Sequence, residues 1–94
     1  MADFKLVNEA IGGFNAWEQP WTFMPAVLAQ EQLDSVARQV IGALWAEVTD
    51  AKYWVNPGFD ATAALIRRQL GVTYPWLHAD AVDALIRGAS YTWR

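Results

Sequence analysis

Residues 30–54 read Gln30-Glu31-Gln32-Leu33-Asp34-Ser35-Val36-Ala37-Arg38-Gln39-Val40-Ile41-Gly42-Ala43-Leu44-Trp45-Ala46-Glu47-Val48-Thr49-Asp50-Ala51-Lys52-Tyr53-Trp54. Leu33, Val36, Ala37, Val40, Ile41, Leu44, Val48 and Ala51 recur every three or four residues, while Glu31, Asp34, Ser35, Arg38, Gln39 and Glu47 fall on the other side. That is the pattern of a helix with one face toward a core. A continuous helix over this stretch would be about 35 Å long at 1.5 Å per residue. A globule of this chain length is about as wide, so the spacing predicts a central strut. Asn56-Pro57-Gly58 then stops it.

The same period extends to both sides. Phe4, Val7, Ile11 and Phe14 share a helical face within 3–18, with Asp3 as a candidate cap and Gly12-Gly13 as a bend or end. Residues 19–29 contain Pro20 and Pro25, which forbid one continuous helix, yet the stretch is apolar and is expected to cross the bundle. Asp60 is a candidate cap for a third helix ending at Leu70, with Phe59, Ala63, Ile66 and Leu70 inward and Gly71 as a left-handed stop. Pro75 is expected in the first turn of a fourth helix whose apolar line is Leu77, Ala81, Leu85 and Ala89. Gly88 is expected to loosen its last turn. No segment alternates with period two. The fold class is therefore all-α, one domain over 1–94, a compact bundle of four or five helices around one long central helix.

Six tryptophans occur in 94 residues, with no cysteine. Indole burial supplies apolar area to a small domain, but a globule this small is not expected to cover all six. Trp45 borders the long stripe and is expected inside. Trp17 and Trp21 flank Pro20, and Tyr74 and Trp76 flank Pro75. Such pairs at connections place O–H and N–H groups near water or free helix-end carbonyls, and they are candidate anchors for a partner.

The chain excludes several chemistries. Without cysteine there is no disulfide framework, thiol nucleophile or thiolate metal site. His78 is the single histidine, and helical spacing points Asp80 and Asp83 away from it. Ser35 and Ser90 lack an elbow motif, and Gly12-Gly13 matches no phosphate loop. No catalytic residue, metal or cofactor is expected. No apolar run reaches the roughly 20 residues of a membrane span, and the N-terminal residues lack the pattern of a signal peptide. A cytoplasmic protein is the expectation.

Net charge is −3 and unevenly placed. Residues 1–50 carry Asp3, Glu9, Glu18, Glu31, Asp34, Glu47 and Asp50 against Lys5 and Arg38, a net of −5. Residues 51–94 carry Asp60, Asp80 and Asp83 against Lys52, Arg67, Arg68, Arg87 and Arg94, a net of +2. An acidic front half disfavours phosphate backbones and suits a basic protein surface. The expected function is a non-enzymatic protein-interaction module, a small acidic inhibitor or adaptor of the kind bacteria and phages encode, docking on a basic surface of a larger protein. Its expected contact residues are Trp17, Trp21, Glu31, Asp34, Glu47, Asp50, Tyr74 and Trp76. Two alternatives stand beside it. Residues 59–89 could form a helix-turn-helix, turning at Leu70-Gly71-Val72-Thr73, although Asp80 and Asp83 on its second helix would repel phosphate. Surplus aromatics could also be covered by self-association.

Overall fold

Asp34 and Asp50 divide the long apolar stretch. In the computed structural model, which describes residues 4–55 and 58–93, the helices are α1 (Phe4–Gly12), α2 (Phe23–Leu28), α3 (Ser35–Val48), α4 (Ala51–Trp54), α5 (Phe59–Thr73) and α6 (Ala79–Thr92), with a 3₁₀ turn at Pro20–Thr22. No strand occurs among the described residues. The protein is an all-α bundle measuring 38 × 30 × 19 Å, with a Cα radius of gyration of 12.6 Å. A folded chain of this length is expected near 12.4 Å, by an approximate scaling law.

The single helix expected over 30–54 is instead two. Asp34 caps α3, accepting the Ala37 N–H at 2.7 Å, and Asp50 caps α4, accepting the Lys52 N–H at 2.9 Å. Between them the Thr49 hydroxyl donates to the Trp45 carbonyl at 2.7 Å. A carboxylate is favoured at a helix start and disfavoured at a helix end, so Asp50 begins a new helix. Val36 and Ala51, assigned to the buried stripe, are exposed.

The centre of the bundle is α6. It packs on α1, α3, α5 and the 3₁₀ turn. Ala81, Ala84, Leu85, Ile86, Gly88, Ala89 and Ser90 are buried along it, and the small residues among them let neighbouring helices approach. The core is completed by Val7, Ala10 and Ile11 of α1, Phe23 and Val27 of α2, Ala37, Ile41, Leu44 and Val48 of α3, and Ala63, Ile66 and Leu70 of α5. No helix among the described residues is long and apolar enough to cross a membrane.

The second half departs from expectation at three helix ends. Gly58, at φ 93°, precedes α5, a conformation that glycine tolerates without a Cβ clash. Asp60 therefore lies inside the first turn, and Phe59 is exposed where burial was expected. Gly71 is helical, and α5 runs through it to Thr73. Pro75 stays in the connection, because His78, with extended backbone, is the residue before α6. These corrections move the expected turn of the helix-turn-helix reading from residues 70–73 to the connection between α5 and α6. There is no left-handed turn at Gly71, and the second helix of that expected pair, α6, is buried along Ala81, Leu85, Ile86 and Ala89 and leaves Asp80, Asp83 and Arg87 exposed. The Asp3 cap and the Asn56-Pro57 stop fall outside the described residues.

Asn8 ties the last connection to α1. Its side-chain N–H donates to the Phe4 carbonyl at 2.9 Å and the Trp76 carbonyl at 3.2 Å, and its oxygen accepts the His78 backbone N–H at 2.6 Å. Asn8→Ala leaves those groups without their partner and is expected to cost about 2 kcal/mol. Urea unfolding checks this as a lower midpoint at unchanged slope. Asn8→Asp is not a rescue, since a carboxylate cannot donate to the two carbonyls.

Candidate functional site

The segment between Gln19 and Phe23 sorts two aromatic side chains to opposite sides. Pro20 opens the 3₁₀ turn. The Thr22 hydroxyl donates to the Gln19 carbonyl at 2.7 Å, and the Phe23 N–H donates to the Pro20 carbonyl. In this tight turn Trp21 faces outward and is 72% exposed, whereas Phe23 is 1% exposed. Phe23 sits among Phe14 (5.1 Å, edge-on), Trp17 (5.3 Å, stacked) and Trp45 (5.7 Å, tilted). Gly88 makes this possible. A Cβ there would lie 2.7 Å from the Phe23 ring and 3.2 Å from Trp45. The glycine read as a loosening of α6 is thus a packing site where ring meets backbone.

A groove of about 280 Å³ opens beside this contact, lined by Pro20, Trp21, Met24, Trp45, Gly88 and Tyr91, with Phe23 at its base and Thr92 at its edge. No charged side chain lines it. Trp21 is its exposed wall. An apolar recess beside a solvated indole is suited to receiving an apolar or aromatic side chain from another molecule.

The expected contact residues distribute as follows. Trp21 lies in the groove. Trp17 is half-buried against Phe14, Phe23 and Tyr91, and Arg87 covers its ring at 4.4 Å. Its surface is engaged within the chain. Tyr74 and Trp76 form an edge-on pair at 6.1 Å in the connection before α6, and Trp76 stacks on Phe4 at 4.0 Å. That pair shares no lining residue with the groove. Glu31 is exposed in the turn before α3. Asp34 and Asp50 cap helices at opposite ends of the α3 region, separated by a 14-residue helix about 21 Å long. The four carboxylates therefore do not form one acidic helix face.

Glu47 belongs to a local network with Lys52, at 2.9 Å, and the Tyr53 hydroxyl. The hydrogen bond from Tyr53, then that from Lys52, holds the Glu47 carboxyl below its ordinary range. Burial, then the Glu47 contact, pushes the Tyr53 phenol well above its usual value, and the Glu47 hydrogen bond raises Lys52. The folded state thus favours ionised Glu47 and protonated Tyr53. Their contribution to stability is lost as pH falls below about 4.5 and as it rises above about 10. Glu47→Gln is expected to flatten the acid side of the stability–pH curve between roughly pH 3 and 5, measured by urea midpoints.

Two tryptophans cap the end of α3. Trp54 donates its indole N–H to the Val48 carbonyl at 2.7 Å, and Trp93 donates to the Thr49 carbonyl at 2.9 Å. Helix ends leave such carbonyls unpaired, so these indoles serve the fold. Met24, Trp45, Gly88 and Tyr91 were not among the expected contact residues. The one local signal was Gly88 inside a helical pattern, which commonly marks close packing. Among the described residues no cluster of His, Cys, Asp or Glu could hold a metal ion. No known family, curated protein or solved structure matches the chain.

Proposed function

We propose that this chain is a non-enzymatic interaction module that docks on a basic surface of a larger protein, as a small inhibitor or adaptor, through the Trp21 groove. The observation that carries this is the 72% exposure of Trp21 beside an uncharged recess. Tryptophan is the residue type that most often anchors such contacts, and burying this ring would remove a large apolar area from water.

Charge supports the choice of partner. Lys5, Lys52 and Arg67 pair with Glu9, Glu47 and Asp83. Arg38 donates to the Leu28 and Gln30 carbonyls, and Arg87 covers Trp17. Glu18, Glu31, Asp60 and Asp80 carry no side-chain hydrogen bond or ion pair among the described residues. The cations are mostly engaged within the fold and several carboxylates are left to solvent. The surface field therefore favours encounter with a cationic face.

Selection from a randomised peptide library against the immobilised chain tests this. The enriched peptides are expected to combine an aromatic or aliphatic anchor with lysines or arginines, and to bind more weakly as salt is raised. Enrichment of acidic peptides, or none, would remove the proposal.

A further inference from the structure

We infer that the outward side of α5 is a second docking surface, which takes an amphipathic helix carrying carboxylates. The core side of α5 is occupied by Ala63, Ile66 and Leu70. Its other side should then be polar, yet Leu65 is 45% and Val72 75% exposed there. Val55, also 75% exposed, follows α4. Leu65, Arg68 and Val72 are spaced by three and four, so they form one stripe running about 10 Å along the helix. A depression of about 480 Å³ lies along it, reaching to Lys52 and Tyr53. It shares no lining residue with the Trp21 groove.

The sign of charge selects the occupant. Among the described residues, Arg68 is a cation with neither an ion pair nor a side-chain hydrogen bond. It stands midway between Leu65 and Val72, so an apolar partner lying on the stripe meets its guanidinium. Lys52 at the edge of the depression is paired with Glu47, so Arg68 is the uncompensated charge on this face. A second copy related by a twofold axis through the stripe would bring Arg68 against its own counterpart, a like-charge contact that disfavours pairing. One unpaired cation is also fewer than the four to eight, roughly, of a polybasic lipid-binding segment. A partner helix with leucines at helical spacing and a glutamate opposite Arg68 satisfies both the apolar stripe and the charge.

The probe is a stapled, fluorophore-labelled helical peptide with leucines on one face and glutamates flanking them, titrated with the full chain by anisotropy. Saturable binding is expected, weakened about tenfold or more by Arg68→Gln, by Val72→Asp and by lysine in place of the peptide's glutamates. Gln39→Ala, on α3, should leave it unchanged, and circular dichroism should show each variant folded. Absence of binding, equal binding of the lysine peptide, or indifference to Arg68→Gln would overturn the inference. So would binding only to phosphatidylserine vesicles, which makes the face a lipid surface. A light-scattering dimer abolished by Val72→Asp would make the occupant a second copy and overturn it equally. The Trp21 proposal does not depend on any of these outcomes.

Discussion

Phe23→Ala should lower the melting temperature by roughly 15 to 25 °C, the largest loss of stability expected from one truncation in the aromatic cluster. Removing a buried phenylalanine costs about 3–5 kcal/mol, through lost transfer energy and the cavity left behind. Phe23 is 1% exposed and touches three aromatic rings. Those ring contacts each add about 0.5–1.5 kcal/mol beyond area alone. Collapse cannot easily refill the space, because the facing wall is the α6 backbone at Gly88. Calorimetry or a circular dichroism melt measures the shift. A change of less than about 5 °C would mean that the ring cluster does not hold the 3₁₀ turn and α2 against α6.

Trp21→Ala, two residues away, should have the opposite profile. Its ring is 72% exposed, so the melting temperature is expected to move by no more than about 4 °C, as for an ordinary surface substitution. Binding should suffer instead. If Trp21 anchors a partner, truncation costs about 2 kcal/mol or more, which weakens selected peptides about thirtyfold. Intrinsic fluorescence gives a check that needs no partner. Loss of the most exposed indole among the described tryptophans should shift emission to shorter wavelength and reduce quenching by acrylamide. Unchanged peptide affinity would leave the groove without a role in recognition.

The contrast between these neighbours shows what was legible in the chain. That Pro20 interrupts the helical run and that Trp21 is a candidate anchor can both be read locally, whereas Pro25 lies in the first turn of α2, where its missing N–H costs little. That Phe23 turns inward cannot, because it depends on a glycine in α6 far along the chain. The break at Thr49–Asp50 was hidden for a different reason. Val48 and Ala51 continue the apolar period across it, and periodicity alone does not register that Asp50 caps a new helix. Asp34 and Asp50, expected as charge for a partner, also accept backbone N–H groups as helix caps, a role that periodicity did not reveal. Trp17 and Trp76, expected as anchors, also make contacts within the chain that the sequence did not show: Arg87 lies over one and Phe4 stacks on the other.

By itself the sequence determined that this chain is helical and that it carries more indole than the fold conceals. Those properties follow from period, proline, caps and composition, which act over a few residues. Only the tertiary structure decided that α6 is the centre, that Gly88 admits Phe23, that a groove opens beside Trp21 and that Arg68 stands free on an apolar stripe. Each of these depends on which surfaces meet when distant segments close on one another, and close packing between them is not encoded in any single window of the chain.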